Sequence, residues 1–141
     1  MTRQSDTTGT GSPESVVLAF VQCFNENRID DALAMLSEDV VYHNIPMEPL
    51  HGRAAAAAFF AQFDLGGALT TEWIVHALAT QNDLVLTERT DKFLTAGGSE
   101  MAIPIMGIFK VQAGLISEWR DYFDMADFQR QMAGLMGQQV G

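Results

Sequence analysis

Two carboxylates and an arginine stand at alternate positions in segments that are otherwise apolar. Arg89 and Asp91 are two positions apart, and Asp121 lies two positions from Trp119 and from Phe123. Side chains at i and i+2 point to the same face of a β-strand, so each charged group shares a face with apolar neighbours. A buried carboxylate is costly unless it is paired, and Arg89 could neutralise both acids. Two such acids could support general acid–base chemistry.

The pattern alone leaves open which face of its strand Asp121 occupies. If Asp121 points inward, Arg120 and Tyr122 point to solvent. The reverse arrangement would expose the carboxylate, as is usual for charged residues, and the alternation is compatible with both. Trp119 and Phe123 together can bury more apolar surface than Tyr122, and their size favours Asp121 on the inside.

Arg89 and Asp91 could instead form a surface ion pair, which is the usual situation of charged residues on a strand. Phe93 on the same face weakens that interpretation. Tyr42 and Asn44 also share a face of their strand. A tyrosine in a strand most often packs in the core with its hydroxyl at the rim, so this pair has functional meaning only in combination with the acids.

The sequence offers little for other kinds of catalytic or binding site. His43, His51 and His76 lack the short spacing of a metal-binding pair, and Cys23 is the single cysteine. We interpret the histidines as structural or surface residues and Cys23 as an inert buried thiol. Motifs of the G-x-S-x-G, P-loop and G-x-G-x-x-G types are absent from the sequence. We therefore predict neither a metal site nor a cofactor.

The charge balance excludes some classes of partner. Lys and Arg number 8 against 18 for Asp and Glu, and the formal net charge is -10. Such an excess of acid opposes binding to nucleic acids and to anionic membranes. Residues 1–12 contain no apolar run like that of a signal peptide, and no segment has the length of apolar sequence that spans a bilayer. With one cysteine, a cytoplasmic location is expected.

Length and composition predict one domain. The chain has 141 residues, of which 48% are hydrophobic, enough for a single sizeable core. Residues 1–12 are small and polar, so we predict a disordered tail there. Residues 13–134 form the predicted domain, and residues 135–141, among several glycines, a flexible C-terminal tail. The eight methionines are explained equally well as adaptable core residues or as the lining of an apolar cavity.

Capping residues and apolar periodicity predict four helices. Ser12 and Pro13 begin the first, Asp30 caps a shorter one that includes Leu36, and Asp124 caps the last. The predicted helices cover residues 13–24, 30–36, 53–63 and 125–132.

The remaining segments alternate with a period of two or are β-branched, which predicts strands at residues 40–45, 72–79, 83–94, 100–112 and 115–124. The first of these is predicted to be an edge or first strand, and the last four an antiparallel meander. Early helices followed by long strands predict an α+β domain whose sheet wraps around the helices and leaves one open mouth. The cone-shaped, nuclear transport factor 2-like architecture fits this order.

Several phrases of the chain, taken in order, resemble the limonene-1,2-epoxide hydrolase family. They are YHNIP at 42–46, HGR at 51–53, TERTD at 87–91, GIF at 107–109 and WRDYFD at 119–124. The resemblance extends from about Pro13 to Phe128 and is specific because of the combination and spacing of the phrases. It implies a strongly curved mixed sheet with a deep apolar pocket, and a homodimer.

The resemblance also implies a reaction and a role for each residue. An apolar epoxide would be opened by water in one step to a vicinal trans-diol, without a cofactor or a covalent intermediate. Tyr42, Asn44 and Asp121 would hold the water, Asp121 would take its proton, Asp91 would protonate the epoxide oxygen and Arg89 would bridge the acids. The predicted pocket residues are Phe93, Ile105, Trp119 and Phe123.

Two other functions remain open on the same fold. A proton shuttle of the ketosteroid-isomerase or polyketide-cyclase kind would use one Asp base and an oxyanion donor. Arg89 beside Asp91, with Asp121 as a second acid, favours the hydrolase. A non-catalytic protein that binds an apolar metabolite is the other alternative, because fold does not determine function. The turn at 95–99 and the apolar residues near the pocket depart from the family, which leaves the substrate open.

Overall fold

The structure, a computed structural model, describes residues 11–140, and residues 136–140 through their backbone alone. Helices α1 and α2 come first, strands β3 to β6 follow one another, and helix α4 ends the described chain. The elements in order are α1 Pro13–Asn25, α2 Ile29–Ala34, β1 Leu36–Asn44, β2 Leu50–His51, α3 Arg53–Gln62, β3 Leu69–Gln81, β4 Leu84–Thr95, β5 Glu100–Gln112, β6 Leu115–Tyr122 and α4 Met125–Val140.

Helix α1 begins as the sequence predicts. The Ser12 side chain accepts a hydrogen bond from the Ser15 backbone N–H at 3.1 Å, and Pro13 occupies the first helical turn, where its missing N–H costs nothing. One stripe of the helix is buried in the core, as expected from its spacing: Val16, Val17, Phe20, Val21, Cys23 and Phe24. The predicted tail lies outside the described residues apart from Gly11 and Ser12.

The six strands form one mixed sheet in the order β2-β1-β6-β5-β4-β3. Strands β3 to β6 are the predicted antiparallel meander, with positive φ at Asn82, Gly98 and Gly114 in the three turns. Strand β1 pairs in parallel with β6 and is covered on its other side by the two-residue β2. β1 is therefore the first strand in the sequence but not the edge of the sheet.

The core lies between the sheet and the helices α1 and α3. Phe20 of α1 meets the Trp119 ring edge to face at 5.1 Å, and Phe24 stacks on Trp73 at 4.2 Å. Such aromatic pairs contribute beyond the area they bury. Arg53 ties α3 to the sheet, because its Nε and Nη2 donate to the Leu36 carbonyl at 3.0 and 2.7 Å.

The second helix is shorter than predicted and starts earlier. Its N-cap is Arg28, with no side-chain hydrogen bond, so Asp30 lies in the first turn and does not cap the helix. Leu36 belongs to β1, because it pairs with Ile116 of β6 and is fully buried there. Pairing across the sheet outweighs the local helical pattern at this position. For the same reason β1 begins at Leu36 rather than at residue 40.

The last helix is longer than predicted. The Asp124 side chain accepts from the Asp127 backbone N–H at 3.1 Å, so the predicted cap is confirmed. The helix continues to Val140, although its end was predicted near Met132 with a flexible tail from residue 135. Leu135 is 3% exposed and packs in a cluster with Met101 and Ile103, which holds the helix beyond Gly134. None of the helices between residues 11 and 140 is long and apolar enough to cross a membrane.

Candidate active site

One transverse row of the sheet brings residues of four strands together. Thr87 of β4 pairs with Gly107 of β5, and Gly107 pairs in turn with Asp121 of β6. Asp121 is also the register partner of Asn44 at the end of β1. Residues that oppose one another on neighbouring strands project from the same face, so four segments distant in sequence contribute to one line.

Arg89 joins the two acids that the sequence analysis selected. Its Nε and Nη2 donate to Asp91 Oδ1 and Oδ2 at 2.9 and 2.8 Å, a two-pronged pair. The same Nη2 donates to Asp121 Oδ2 at 3.0 Å. Bidentate pairing of this kind uses the rigid planar fork that only a guanidinium offers. The structure therefore brings the two carboxylates together through one cation.

All three groups are buried. Arg89 is 1% exposed, and Asp91 and Asp121 are each 2% exposed. The prediction that Asp121 points inward with Trp119 is thus confirmed, and Tyr122 is exposed as that arrangement requires. The alternative of a surface ion pair between Arg89 and Asp91 is wrong. Because charges taken out of water need partners, the three groups form a mutually dependent set.

Aromatic rings pack against the arginine. The guanidinium carbon of Arg89 lies 4.6 Å from the centre of the Trp73 ring and 5.7 Å from that of Phe109. A cation over an aromatic face gains electrostatic attraction without needing water. Trp73 is also the register partner of Asp91 on the neighbouring strand. These rings compensate in part for the lost hydration of the guanidinium.

Burial and charge perturb the titration of these groups. Burial raises the pKa of Asp91 to about 6, against the Arg89 charge and hydrogen bonds, which lower it, and the Asp121 charge adds a small increase. Burial by itself would lower the pKa of Arg89, but Asp121 and Asp91 outweigh it and raise the pKa above its ordinary value. Asp91 can thus carry a proton at mildly acidic pH while Arg89 stays charged.

Asp121 keeps one oxygen available. Its Oδ2 is bonded to Arg89, whereas Oδ1 is buried without a hydrogen-bond partner among the described residues. A buried carboxylate oxygen without a partner is uncommon in native proteins. Nearby, the Tyr42 hydroxyl points to Asn44 Oδ1 across a long 3.4 Å. Burial, and after it the Asp121 charge, raises the pKa of Tyr42, so this hydroxyl remains a donor.

Residues of this polar cluster line an otherwise apolar cavity. The cavity has a volume of about 80 Å³ and is partly open to solvent. Tyr42, Asn44, Asp91 and Asp121 are the polar residues of its wall. Its apolar wall comes from helices and strands alike, and includes Phe59 and Phe60 of α3 with Phe63 at the C-cap of that helix, Trp73 of β3, Phe93, Met101, Ile103 and Ile105 of β4 and β5, and Phe128 and Met132 of α4.

Three of the four predicted pocket residues line this cavity, namely Phe93, Ile105 and Phe123. Trp119 does not. It is fully buried in the core behind Tyr42, on which it stacks at 3.9 Å. The structure therefore corrects the prediction that Trp119 lines the pocket. Alternation placed Trp119 on the right face but could not show that another ring would cover it.

The wall residues on α3 and α4 were missed. The only signal for them in the sequence is the spacing of Phe60 and Phe63, which matches one helical face but cannot show which partner that face meets. The methionines follow the predicted roles only in part. Met47, Met101 and Met132 line the cavity, whereas Met106 is exposed.

The histidines and the cysteine stand away from the Arg89 cluster. His43 Nε2 lies 2.9 Å from the Met47 carbonyl oxygen, and His76 Nε2 lies 2.8 Å from Thr90 Oγ1. Cys23 is buried, and burial raises the pKa of its thiol. Within residues 11–140, no three His, Cys, Asp or Glu side chains gather in a way that could hold a metal ion.

The fold and the buried acid pair define the class of protein. The helices, the six-stranded mixed sheet and the cavity between them are those of the cone-shaped nuclear transport factor 2-like, or SnoaL-like, α+β fold. A putative SnoaL-like polyketide cyclase from Shewanella denitrificans superposes with a TM-score of 0.74 at 15% sequence identity. That alignment covers 86% of this chain and 97% of the cyclase, and it shows the shared fold.

More specific similarities identify the family within this fold. Residues 11–134 match the limonene-1,2-epoxide hydrolase catalytic domain. Epoxide hydrolase EphG of Mycobacterium tuberculosis is 32% identical over 121 residues, which cover 85% of this chain and 79% of EphG. The structure of a limonene-epoxide-hydrolase-like epoxide hydrolase from M. tuberculosis superposes with a TM-score of 0.75 at 29% identity, and covers 91% of this chain and 95% of that one. The chain belongs to the limonene-1,2-epoxide hydrolase family.

Removing the guanidinium should expose how much the acids depend on it. We expect Arg89→Ala to lower the free energy of unfolding by about 3–5 kcal/mol at pH 7, because two carboxylates lose a buried partner. In the variant the folded state takes up protons more readily than the unfolded state, so the deficit should shrink as the pH falls toward 5. Urea unfolding at both pH values measures this. Arg28→Ala, which removes an exposed cation paired with Glu26 and Asp31, is the control and should change little. A deficit for Arg89→Ala that is the same at both pH values would contradict the expectation.

Proposed function

We propose that the protein hydrolyses an apolar epoxide to a vicinal trans-diol by direct attack of water, with no covalent intermediate and no cofactor. The observation that carries the proposal is the buried Asp–Arg–Asp set, whose one unpartnered carboxylate oxygen belongs to a residue of the cavity wall. Membership of the limonene-1,2-epoxide hydrolase family supports it. An epoxide is strained but leaves as a poor alkoxide, so its opening benefits from an acid and a base acting together.

The different environments of the two carboxylates suggest which one is the base. Asp121 lines the cavity, and its Oδ1 has no hydrogen-bond partner among the described residues, so this carboxylate has acceptor capacity left for the attacking water. Asp91 has both oxygens bonded to Arg89, and burial raises its pKa to about 6. A carboxyl that retains its proton suits the role of general acid. We assign Asp121 as base and Asp91 as acid.

In the proposed mechanism, the epoxide opens in a single step with two proton transfers. The water oxygen forms a bond to one epoxide carbon, on the side opposite the breaking C–O bond, and a water proton passes to Asp121. The released oxygen takes the proton of Asp91 and becomes the second hydroxyl. Arg89 contacts both carboxylates throughout and balances the negative charge that moves from one to the other. Return of the proton from Asp121 to Asp91 completes the cycle.

Tyr42 and Asn44 complete the proposed water site. Both line the cavity beside Asp121, and Asn44 is its register partner on β1. The Tyr42 hydroxyl stays protonated, and the Asn44 side chain carries both a donor and an acceptor, so together with Asp121 they can orient a water molecule. Holding the nucleophile in line with the carbon supplies part of the rate enhancement.

The cavity favours a substrate that is apolar apart from its epoxide ring. Its aromatic and aliphatic walls leave polar atoms only near the two acids, where the ring would lie. A terpene-like or cycloalkene-like epoxide matches this distribution. A homodimer, a cytoplasmic location and the absence of nucleic-acid or membrane partners stay predictions from the sequence and the family.

Labelled water tests the proposal directly. We expect limonene oxide or cyclohexene oxide, incubated in ¹⁸O-water with enzyme in excess, to give a trans-diol with one labelled oxygen within a single turnover. Mass spectrometry of the product measures this. An unlabelled diol in the first turnover would indicate a covalent ester formed by an enzyme carboxylate. If a panel of epoxides gives no diol at all, the proton-shuttle or ligand-binding function becomes the better explanation.

Replacing either acid should stop the reaction. We expect Asp91→Asn and Asp121→Asn each to lower kcat by at least about 10²-fold, because an amide can act neither as the acid nor as the base. Asp124→Asn is the matched control. Asp124 lies near Asp121 but is exposed, and asparagine caps a helix as well as aspartate does. Near-normal turnover by either of the first two variants would rule out its assigned role.

The pH dependence should follow the proton on Asp91. Because the acid acts in its protonated form, which is populated below its pKa, kcat/KM should fall as the pH rises through and above about 6. Initial rates between pH 4.5 and 9 measure the profile, with the concentration of folded enzyme determined at each pH. A kcat/KM that stays constant across the alkaline range would argue against Asp91 as the acid.

A further inference from the structure

Arg89 reaches Asp121 across an intervening strand. Arg89 lies on β4 and Asp121 on β6, so the guanidinium must pass over the inner face of β5. Strands in a sheet are about 4.8 Å apart, and a side chain on β5 at this level would stand in the path. The residue at that level is Gly107, the register partner of both Thr87 and Asp121.

Gly107 leaves the space that the ion pair occupies. A Cβ atom at this position would lie under 3.0 Å from both Arg89 Nη1 and Asp121 Oδ1, closer than real Cβ atoms come to other atoms. It would also lie 3.3 Å from Thr87 Oγ1. The φ angle of Gly107 is not among the positive φ angles of the described residues, so a residue with a side chain could adopt the same backbone conformation. The need for glycine here comes from the neighbouring charges and not from the backbone.

The Thr87 hydroxyl also contacts the guanidinium of Arg89 and orients it. This buried hydroxyl accepts a hydrogen bond from Arg89 Nη1 at 3.1 Å and donates one to the Gly107 carbonyl at 3.2 Å. The guanidinium is thereby held at Nη1, while Nε and Nη2 serve the two carboxylates. Four of its five N–H donors are engaged, which determines both the plane and the rotation of the group.

We propose that Thr87 and Gly107 are positioning residues for the reaction. Gly107 opens the path by which Arg89 crosses β5, and Thr87 fixes the guanidinium in the orientation that bridges Asp91 and Asp121. Neither residue lines the cavity, so both act through Arg89 and not on the substrate. The inference deepens the proposed hydrolase, on which it rests for its kinetic readout.

Substitutions at Thr87 test the orienting hydroxyl with little change in volume. We expect Thr87→Val to lower kcat about tenfold or more with KM nearly unchanged, since a misplaced catalytic group loses rate and the cavity wall is intact. Thr87→Ser keeps the hydroxyl and should stay close to the wild type. The alkaline limb of kcat/KM should move to higher pH in Thr87→Val, because weaker donation from Arg89 raises the pKa of Asp91.

Gly107→Ala tests the open path. Displacing the guanidinium should lower kcat on the order of 10²-fold. Gly134→Ala is the matched control, because a Cβ there meets nothing within 4 Å. Urea unfolding of every variant shows whether it is folded under assay conditions. Should Gly107→Ala fail to fold, the comparison of Thr87→Val with Thr87→Ser still decides the matter.

A readout independent of turnover separates this inference from the proposed function. Carboxyl-carbon NMR titration of ¹³C-labelled aspartates in the wild type and Thr87→Val should show the Asp91 midpoint moving to higher pH. That shift would support the inference even if the protein hydrolysed no epoxide. The lack of hydrolysis would then overturn only the proposed function. If the wild type is an active hydrolase and Thr87→Val keeps its kcat and Asp91 midpoint, the positioning role is overturned. Equal impairment of Thr87→Ser and Thr87→Val would overturn it as well.

Discussion

A guanidinium enclosed between two carboxylates, out of contact with water, is the interaction on which the rest of this structure depends. Taking three charges out of solvent costs several kcal/mol for each ion, and only close pairing with good geometry offsets that cost. The Arg89 guanidinium meets this condition with three hydrogen bonds to the acids and with the rings of Trp73 and Phe109 packed close to it. Any change in the alignment of β4, β5 and β6 would break the set.

The register of the sheet is therefore part of the site. A slip of one residue along a strand would turn its inner face outward, and either Arg89 or Asp121 would then lie on the opposite face of the sheet from its partner. Long antiparallel strands with tight turns reduce the freedom for such slips, and the turns at 82, 98 and 114 provide them. Stability of the sheet and arrangement of the charges are in this sense one requirement.

The apolar cavity complements the charged cluster. Its apolar walls shield the two acids from bulk solvent, and this burial strengthens the electrostatic interactions within the site and raises the pKa of Asp91. The same walls would contact the apolar part of the proposed substrate, so substrate recognition and the raised pKa of Asp91 would have a common origin. The walls come from helices α3 and α4 as well as from the strands, which explains why α4 has to extend as far as Leu135 to cover Met101 and Ile103.

The sequence by itself determined the local and periodic properties of this protein. Alternation identified the long strands and the shared face of Arg89 and Asp91, capping chemistry marked the starts of α1 and α4, and the spaced phrases identified the family. That Arg89, Asp91 and Asp121 all point inward was left open by the alternation and is shown by their burial in the fold. Tertiary structure alone decided what depends on distant partners: that Leu36 pairs with Ile116 instead of ending a helix, and that Trp119 is hidden behind Tyr42. Only the pairing of β4, β5 and β6 showed that a side chain at position 107 would collide with Arg89 and Asp121. A pattern along one chain records which way a side chain points, whereas what it meets is determined by register and packing between segments that are far apart in sequence.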